Sequence, residues 1–366
     1  MRVLFCGGGT AGHVMPALAI SKILKKGISD VECAFVGRSG GPENRSILRE
    51  GERLYTVDIH GFRRSLSPKN LIVLIKLIKS MKVAKGIIRD FRPDIIIGTG
   101  GYVCYPILRM GQRMKIKTVL HESNVYPGLV TRILARRCEK VLLSSAESIG
   151  YLKAESKTEV VGNPVRDGFR LISRDEARRK MGIGKKDFFI VSFGGSLGAA
   201  IINDRIADLM SAFSLYTLNV QHLHSVGASN YEDMKKRYPR LCQKAGKCKI
   251  VAYIDDMPTA LAAADLAITR SGAMTLTELA AVGVASILIP SPNVTANHQY
   301  INAKHLSDAG AAIVIEEKDL TTEKLLKTVR ELHSNAIMRT RLGEKMKESF
   351  PQNTDEKILA AIKNTV

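Results

Sequence analysis

The chain has 366 residues, 45% hydrophobic and 25% charged, which is the composition of a folded globular protein too long for one ordinary core; it excludes a disordered or fibrous chain and predicts two domains. With 55 Lys and Arg against 35 Asp and Glu, the formal net charge of +20 favours an anionic partner, yet aromatics are 5%, tryptophan is absent and no basic–aromatic interleaving supports nucleic-acid readout. No stretch reaches the roughly 20 apolar residues of a spanning helix, Met1 leads straight into a strand-like segment, and Cys6, Cys33, Cys104, Cys138, Cys242 and Cys248 form no C-x-x-C, so the expectation is a cytosolic protein without a disulfide framework or zinc site.

From the N-terminus the chain reads strand, glycine turn, helix, and then repeats. RVLFCGGG runs into MPALAISKILKK, VECAFVG into GPENRSILREG, and DIIIGTGGY into a helix-like stretch; KTVLHESN and KVLLSS supply further short strands. This alternation predicts right-handed βαβ units on a parallel sheet, with ligand loops at the carboxyl ends of the strands. Gly7, Gly9 and Gly12 fit G-x-G-x-x-G, a loop that brings main-chain N–H groups and a helix N-terminus to a phosphate. The second strand ends at Val36-Gly37-Arg38, where an NAD site carries an acidic residue; Arg38 suits NADP, and a purely structural tight turn also fits. His13, at the loop-to-helix junction, reads as a neutral base or donor, or as a polar cap.

In NLIVLIKLIKSMKVAKGIIRDF, helical spacing puts Val73, Leu77, Met81, Ala84 and Ile88 on one apolar face. On the far side Ile72 and Ile75 stand among Lys76, Lys79 and Lys82, which suits an anionic membrane surface or an ordinary solvated face with stray apolar residues. HESN (His121 to Asn124) follows a strand and reads as a hydrogen-bonding cluster at a ligand site or as a turn before Pro127-Gly128. The breakers Gly162, Pro164 and Gly168 mark a linker, giving domains at 1–163 and 164–344, with a terminal amphipathic helix, about 345–366, packing back on the first.

The second half repeats the design. KKDFFIVSFGGSLGAAIINDRIADLM is again strand, glycine loop and helix, with Ser196 placed to donate a hydroxyl to a phosphate. QHLHSVG, KIVAYIDDMPTALAAADLAITRSG and AAIVIEEKDLT continue the alternation, so the fold class is α/β with two Rossmann-like doubly wound parallel-sheet domains. In RSGAMTLTELAAVG, Thr275 and Glu278 fit the capping box T-x-x-E; Glu278 equally suits the hydroxyls of a ribose, and Arg270 a pyrophosphate.

Taken in order, GGTAGHVMPALA, GTGGYV, HESNVYPGL, GNPVR, GGSLGA, YIDDM, RSGAMTLTEL and NHQYINA resemble, nearly end to end, the MurG family of peptidoglycan N-acetylglucosaminyltransferases. The resemblance implies a GT-B fold, two Rossmann-like domains facing across a cleft, with UDP-N-acetylglucosamine held mostly by the second and the undecaprenyl-linked muramyl-pentapeptide met by the first. It puts Thr10, Ala11 and Gly12 beside the donor sugar and acceptor phosphates, and brings Asn124 and Arg166 to the donor. Ser196 then contacts phosphate or sugar, the Ile254 main chain reads uracil, and Ala273, Met274, Thr275, Leu276, Thr277 and Glu278 hold phosphate and ribose. Gln299 reaches the sugar hydroxyls. Ala11 stands where many members have Gly, Leu197 where many have Gln and His298 where some have Gln; the change at 197 removes a polar side chain, so the resemblance assigns no contact there.

The implied reaction is an inverting displacement at the anomeric carbon by the acceptor's 4-hydroxyl, with His13 the first candidate base and Glu122 the second. No Asp-x-Asp motif offers a metal-nucleotide site, so no essential metal or cofactor is expected. The implied location is the cytoplasmic face of the cell membrane, peripherally. Two alternatives stay open: an NADP-dependent oxidoreductase, on Gly7, Gly9, Gly12 and Arg38, and a non-enzymatic basic membrane-surface protein, on the +20 charge.

Overall fold

A computed structural model describes residues 1–9, 11–41, 44–59, 69–195, 197–215, 219–243 and 246–366, with the main chain alone for 11, 69–75, 214, 215 and 295. Contacts divide the chain into two compact units, Met1–Pro164 with Pro351–Val366, and Val165–Phe350.

The first unit carries strands β1 (Arg2–Cys6), β2 (Glu32–Arg38), β3 (Arg53–Val57), β4 (Ile95–Gly98), β5 (Lys117–Glu122), β6 (Lys140–Leu143) and β7 (Thr158–Val160). Its helices are α1 (Ala11–Gly27), α2 (Asn44–Arg49), α3 (Lys69–Phe91), α4 (Cys104–Arg113) and α5 (Leu129–Leu134). The strands pair in parallel in the order β3-β2-β1-β4-β5-β6-β7. Both faces of such a sheet are covered, which is why β1 and β4 are continuous apolar runs, not alternating ones. Along β1, Leu4 and Cys6 face the cluster built with Ala84, Ile88 and Phe91 of α3; Val3 and Phe5 face the one built with Val14, Ala17 and Ile20 of α1.

The second unit repeats the plan with β8 (Phe188–Phe193), β9 (Val220–Ser225), β10 (Cys248–Val251), β11 (Leu266–Thr269), β12 (Ser286–Leu288) and β13 (Ile313–Val314), parallel in the order β10-β9-β8-β11-β12-β13. Its helices are α6 (Gly168–Leu171), α7 (Arg174–Met181), α8 (Ala200–Leu215), α9 (Tyr231–Arg237), α10 (Met257–Ala263), α11 (Ala273–Val282), α12 (His298–Asp308), α13 (Thr322–Ser334) and α14 (Ala336–Glu348). The last helix, α15 (Thr354–Lys363), buries Ile358, Ala361 and Ile362 against the α1 face of the first unit. Each fully buried isoleucine contributes about 1.5–3 kcal/mol, which holds the terminus there. Residues 345–350 lie with the second unit.

In each sheet the strand order reverses once, between β1 and β4 in the first unit and between β8 and β11 in the second. Loops leaving the carboxyl ends of two strands on either side of such a reversal splay apart and leave a crevice for a ligand. The two corners so defined contain most of the residues singled out in the sequence.

Candidate functional site

At the first unit's reversal the loop after β1 interlocks with the loop after β4. Gly8 N–H donates to the Gly100 carbonyl at 3.4 Å, and the Thr99 hydroxyl donates to the His13 carbonyl at 2.6 Å. Gly100 has φ +111°, and a Cβ there would lie 2.5 Å from His13 Nδ1, so the imidazole of the first turn of α1 rests directly on bare main chain. Beneath, the Cys104 thiol donates to the Cys6 and Gly100 carbonyls at 2.9 and 3.0 Å. No acidic side chain occupies the first turn of α1, leaving that helix end electropositive. Gly12 is exposed beside His13; Thr10 and the side chain of Ala11 lie outside the described residues.

Glu122, at the end of β5, is 4% exposed and carries four hydrogen bonds. Its Oε1 accepts from Asn124 N–H and from Asn124 Nδ2, both at 3.1 Å; its Oε2 accepts from Gly128 N–H at 2.9 Å and the Thr131 hydroxyl at 2.7 Å. A carboxylate engaged in this way braces the turn into α5 and orients Asn124, which is the geometry of a positioning group more than of a base. His121 is buried next to it with Nε2 3.1 Å from the Gly162 carbonyl, and burial pulls its pKa below the usual imidazole value.

At the second unit's reversal, α11 starts at Ala273 with Gly272 as N-cap, extended at φ −66° and ψ 139°, and among the described residues no side chain caps it. Thr275 and Glu278 both lie inside the helix, so the capping-box reading is corrected: the pattern fits, but the chain enters the helix earlier, at glycine. Uncapped N–H groups at Ala273, Met274 and Thr275 suit an anion. The Leu276 side chain is core, and the Thr277 hydroxyl donates back to the Ala273 carbonyl at 3.0 Å, so these two contribute packing.

Glu278 is 14% exposed and accepts from Arg166 Nη2 at 3.1 Å, while the guanidinium carbon of Arg166 lies 5.0 Å from the Phe169 ring centroid. Burial raises the Glu278 pKa and Arg166 opposes that rise. Arg270, expected at a pyrophosphate, is committed elsewhere: Nη1 donates to the Ile289 carbonyl at 3.1 Å and Nη2 sits 2.5 Å from Glu317, both side chains largely buried. It ties the ends of β11, β12 and β13 together.

Gln299 joins the same corner through main chain and side chain, its carbonyl accepting from the Ser271 hydroxyl at 2.8 Å and its Oε1 from Ser291 N–H at 2.9 Å. Beyond it, Ile201, Pro290, Pro292, Asn297, Tyr300 and the segment 316–318 line a cavity of about 380 Å³ that the sequence reading missed. Ile254, 6% exposed, lies between β10 and α10. In the loop after β8, Leu197 is 69% exposed and Gly198 has φ +75°; Ser196 lies outside the described residues.

On α3, Leu77 and Met81 are half-buried and Ala84 and Ile88 buried. Lys79 and Lys82 are exposed with Ile78 (57%) and Val83 (46%), whereas Lys76 is paired with Asp58 at 3.0 Å. The side chains of Ile72 and Ile75 lie outside the described residues, so Ile78, which follows Ile75 by one short helical turn, is the isoleucine seen among the lysines. Among the described residues no helix is long and apolar enough to cross a membrane.

Residues 3–143 match the glycosyltransferase family 28 N-terminal domain and residues 189–361 its C-terminal domain. A UDP-N-acetylglucosamine–N-acetylmuramyl-(pentapeptide) pyrophosphoryl-undecaprenol N-acetylglucosamine transferase of Acetivibrio thermocellus is 40% identical over 364 residues, 100% of this chain and 98% of its own. One of the same name from Thermoanaerobacter sp. is 40% identical over 365 residues, 100% of each chain. The crystal structure of Acinetobacter baumannii MurG superposes with a TM-score of 0.75 at 26% identity, covering 99% of both chains. The S. aureus MnaA–UDP co-structure gives 0.71 at 13% identity over 100% of this chain and 97% of that one, a likeness of fold alone. The oxidoreductase and non-enzymatic alternatives are not favoured. Two parallel-sheet Rossmann-like units of the GT-B class and matches that run the full length of these relatives make the chain a member of the MurG family of N-acetylglucosaminyltransferases, within glycosyltransferase family 28.

Proposed function

We propose that this hexosyltransferase moves N-acetylglucosamine from UDP-N-acetylglucosamine to the 4-hydroxyl of the undecaprenyl-linked muramyl-pentapeptide, with inversion, in the lipid II step of peptidoglycan synthesis. The observation that carries the assignment of roles is the contrast at the two reversals: an imidazole seated on Gly100 in one unit, an uncapped helix start with a buried carboxylate in the other. His13 removes the proton of the attacking hydroxyl, for which a neutral imidazole is suited, and Glu122 acts through Asn124. The N–H groups of Ala273, Met274 and Thr275, with those of the loop around Ser196, take the charge that develops on the departing UDP.

In this reading Glu278 accepts the ribose hydroxyls, which requires Arg166 to exchange its carboxylate partner for the diphosphate. The Ile254 main chain meets uracil, and Gln299 the sugar hydroxyls. Arg270 keeps the corner in shape. The exposed face of α3, with Ile78, Lys79, Lys82 and Val83, docks the protein peripherally on the anionic cytoplasmic surface of the cell membrane.

The deciding experiment supplies UDP-N-acetylglucosamine and the muramyl-pentapeptide lipid and looks for the disaccharide lipid. Transfer is expected; none from well-folded protein sinks the reading. Thermal stabilisation by NADPH but not by UDP would restore the oxidoreductase alternative.

A further inference from the structure

Behind the second unit's glycine loop is a buried polar relay to which the reading above gives no part. Ser192 on β8 faces His224 on β9 across the strand pair, and Asn203 of α8 covers them; their exposures are 0%, 0% and 1%. The Ser192 hydroxyl lies 2.6 Å from His222 Nε2 and 2.8 Å from His224 Nδ1, and His224 Nε2 lies 3.2 Å from Asn203 Oδ1. Asn203 Nδ2 donates to the Val226 carbonyl at 3.0 Å. That carbonyl also accepts from Asn230 Nδ2 at 2.9 Å, and the same Asn230 nitrogen donates to the Leu197 carbonyl at 3.0 Å, inside the glycine loop.

The Asn203 amide fixes one proton position. Because a carbonyl is the partner of the Asn203 amide nitrogen, Asn203 presents its oxygen to His224, so His224 Nε2 carries the hydrogen. Burial pulls the His224 pKa down to about 4 and that of His222 well below the usual imidazole value, so both rings are neutral at neutral pH. Nδ1 of His224 is bracketed by the Ser192 hydroxyl at 2.8 Å and the Ser192 carbonyl at 3.1 Å, so both ring nitrogens are held. His222 is tied to the relay through Nε2 alone, its Nδ1 having no hydrogen-bond partner among the described residues. The relay ends at a close contact: a Cβ on Gly198 would collide with the Val226 carbonyl, and one on Gly227 would stand 2.6 Å from the Leu197 carbonyl.

We infer that His224 is a positioning residue for donor binding, fixing through Asn203, Val226 and Asn230 the Leu197–Gly198 half of the glycine loop that meets the donor's diphosphate. The inference rests on the assignment of the donor to this unit. It concerns the geometry of the loop before the donor arrives, so its loss weakens donor binding and leaves the chemistry of the acceptor hydroxyl alone.

The test uses the full chain, with UDP affinity measured by calorimetry and transfer kinetics measured against both substrates. Asn203→Asp, which turns a second oxygen toward the Val226 carbonyl, and His224→Leu should each raise the UDP Kd and the KM for UDP-N-acetylglucosamine about three- to tenfold. The acceptor KM should stay within about twofold. His224→Gln, whose amide N–H stands in for Nε2–H, should recover most of the affinity; a merely volumetric role for the ring predicts no such rescue. Should the buried variants fail to fold, Asn230→Ala removes the last link from the partly exposed end and should weaken UDP in the same direction. Unchanged UDP affinity in folded Asn203→Asp or Asn230→Ala overturns the inference, as does an equal shift in the acceptor KM. Failure of UDP to bind the unaltered protein overturns the donor assignment and this inference with it.

Discussion

The two units solve one packing problem in opposite directions. Each has a glycine loop after its first strand, but in the first unit that loop locks onto the loop across the strand reversal, through Gly100 and Gly101, and the contact seats the His13 ring. In the second unit the glycine loop locks onto the loop on the near side, after β9, through Gly198, Gly227 and Asn230, so the reversal itself is left to the uncapped start of α11. One fold therefore presents a titratable ring at one reversal and a set of N–H donors with a buried carboxylate at the other. Under the proposed function, this difference in which neighbouring loop the glycine turn leans on separates the corner assigned to proton transfer from the corner assigned to the nucleotide.

Breaking the first half of that comparison should have the largest effect. His13→Ala is expected to lower kcat about 10²- to 10⁴-fold, the usual worth of a general base, with the UDP Kd unchanged. A kcat within about tenfold of the unaltered enzyme would move the base elsewhere. Gly100→Ala tests the seat instead of the ring: with φ at +111° and the new Cβ 2.5 Å from Nδ1, the imidazole must shift, so kcat should fall while Gly198→Ala in the other unit raises the donor KM. Loss of the same parameter in both variants would erase the distinction between the corners.

The units should also differ in acid. His222 and His224 of the second unit and His121 of the first have pKa values lowered by burial. Such a group is neutral in the folded protein, while the unfolded chain takes up a proton near pH 6.5, so stability is full above that value and falls as the pH drops. For His224 the loss runs down to about pH 4 and amounts to ~3 kcal/mol, and His222 adds a loss of the same sign. Urea unfolding between neutral pH and about pH 4 should show the second unit losing more, and His224→Gln should flatten its pH dependence; parallel losses in both proteins would contradict the assignment. Glu278 gives the complementary case. Its carboxyl is held above the usual value of 4.5, so the ionised form costs stability at neutral pH, and Glu278→Gln should keep or raise the Tm. The same change should cut kcat/KM for UDP-N-acetylglucosamine about 10- to 100-fold, since hydrogen bonds to a charged group are the stronger kind. A lower Tm with unchanged donor kinetics would assign Glu278 to structure.

What the sequence disclosed is what depends on neighbours along the chain. Apolar runs ending in glycine marked β1, β4, β8 and β11, because a strand buried on both faces must be apolar and its exit must turn sharply. The capping-box alternative arose because T-x-x-E is satisfied by Thr275 and Glu278 wherever the helix begins, and only the extended Gly272 shows where it does. The partner of Arg270 was not foreseen because Glu317 follows far along the chain beyond β13, a contact set by strand order and not by spacing. The four donors to Glu122 likewise exist only once the loop to Thr131 has closed. The His224 relay did leave a trace: His222 and His224 alternate in a strand and so share a face, and two histidines on one face of a buried strand need partners.

The smallest effect separates a docking face from the charge of the whole chain. With a net charge of +20, any part of this protein should be drawn to an anionic bilayer, so binding to vesicles does not by itself identify a face. Lys79 and Lys82 on α3 and Lys324 and Lys327 on α13 are exposed pairs at the same spacing, one pair in each unit, and reversing either to Glu changes the net charge equally. Only the α3 pair adjoins exposed apolar side chains, Ile78 and Val83, which the headgroup region can accept. Each lysine held at the surface contributes about 1 kcal/mol, so reversing Lys79 and Lys82 should weaken binding to phosphatidylserine-containing vesicles by at least about tenfold, and Ile78→Asp should add to it. Reversing Lys324 and Lys327 should change it by no more than about twofold. Equal losses from both pairs would mean that net charge alone draws the protein to the membrane and that α3 is an ordinary solvated helix.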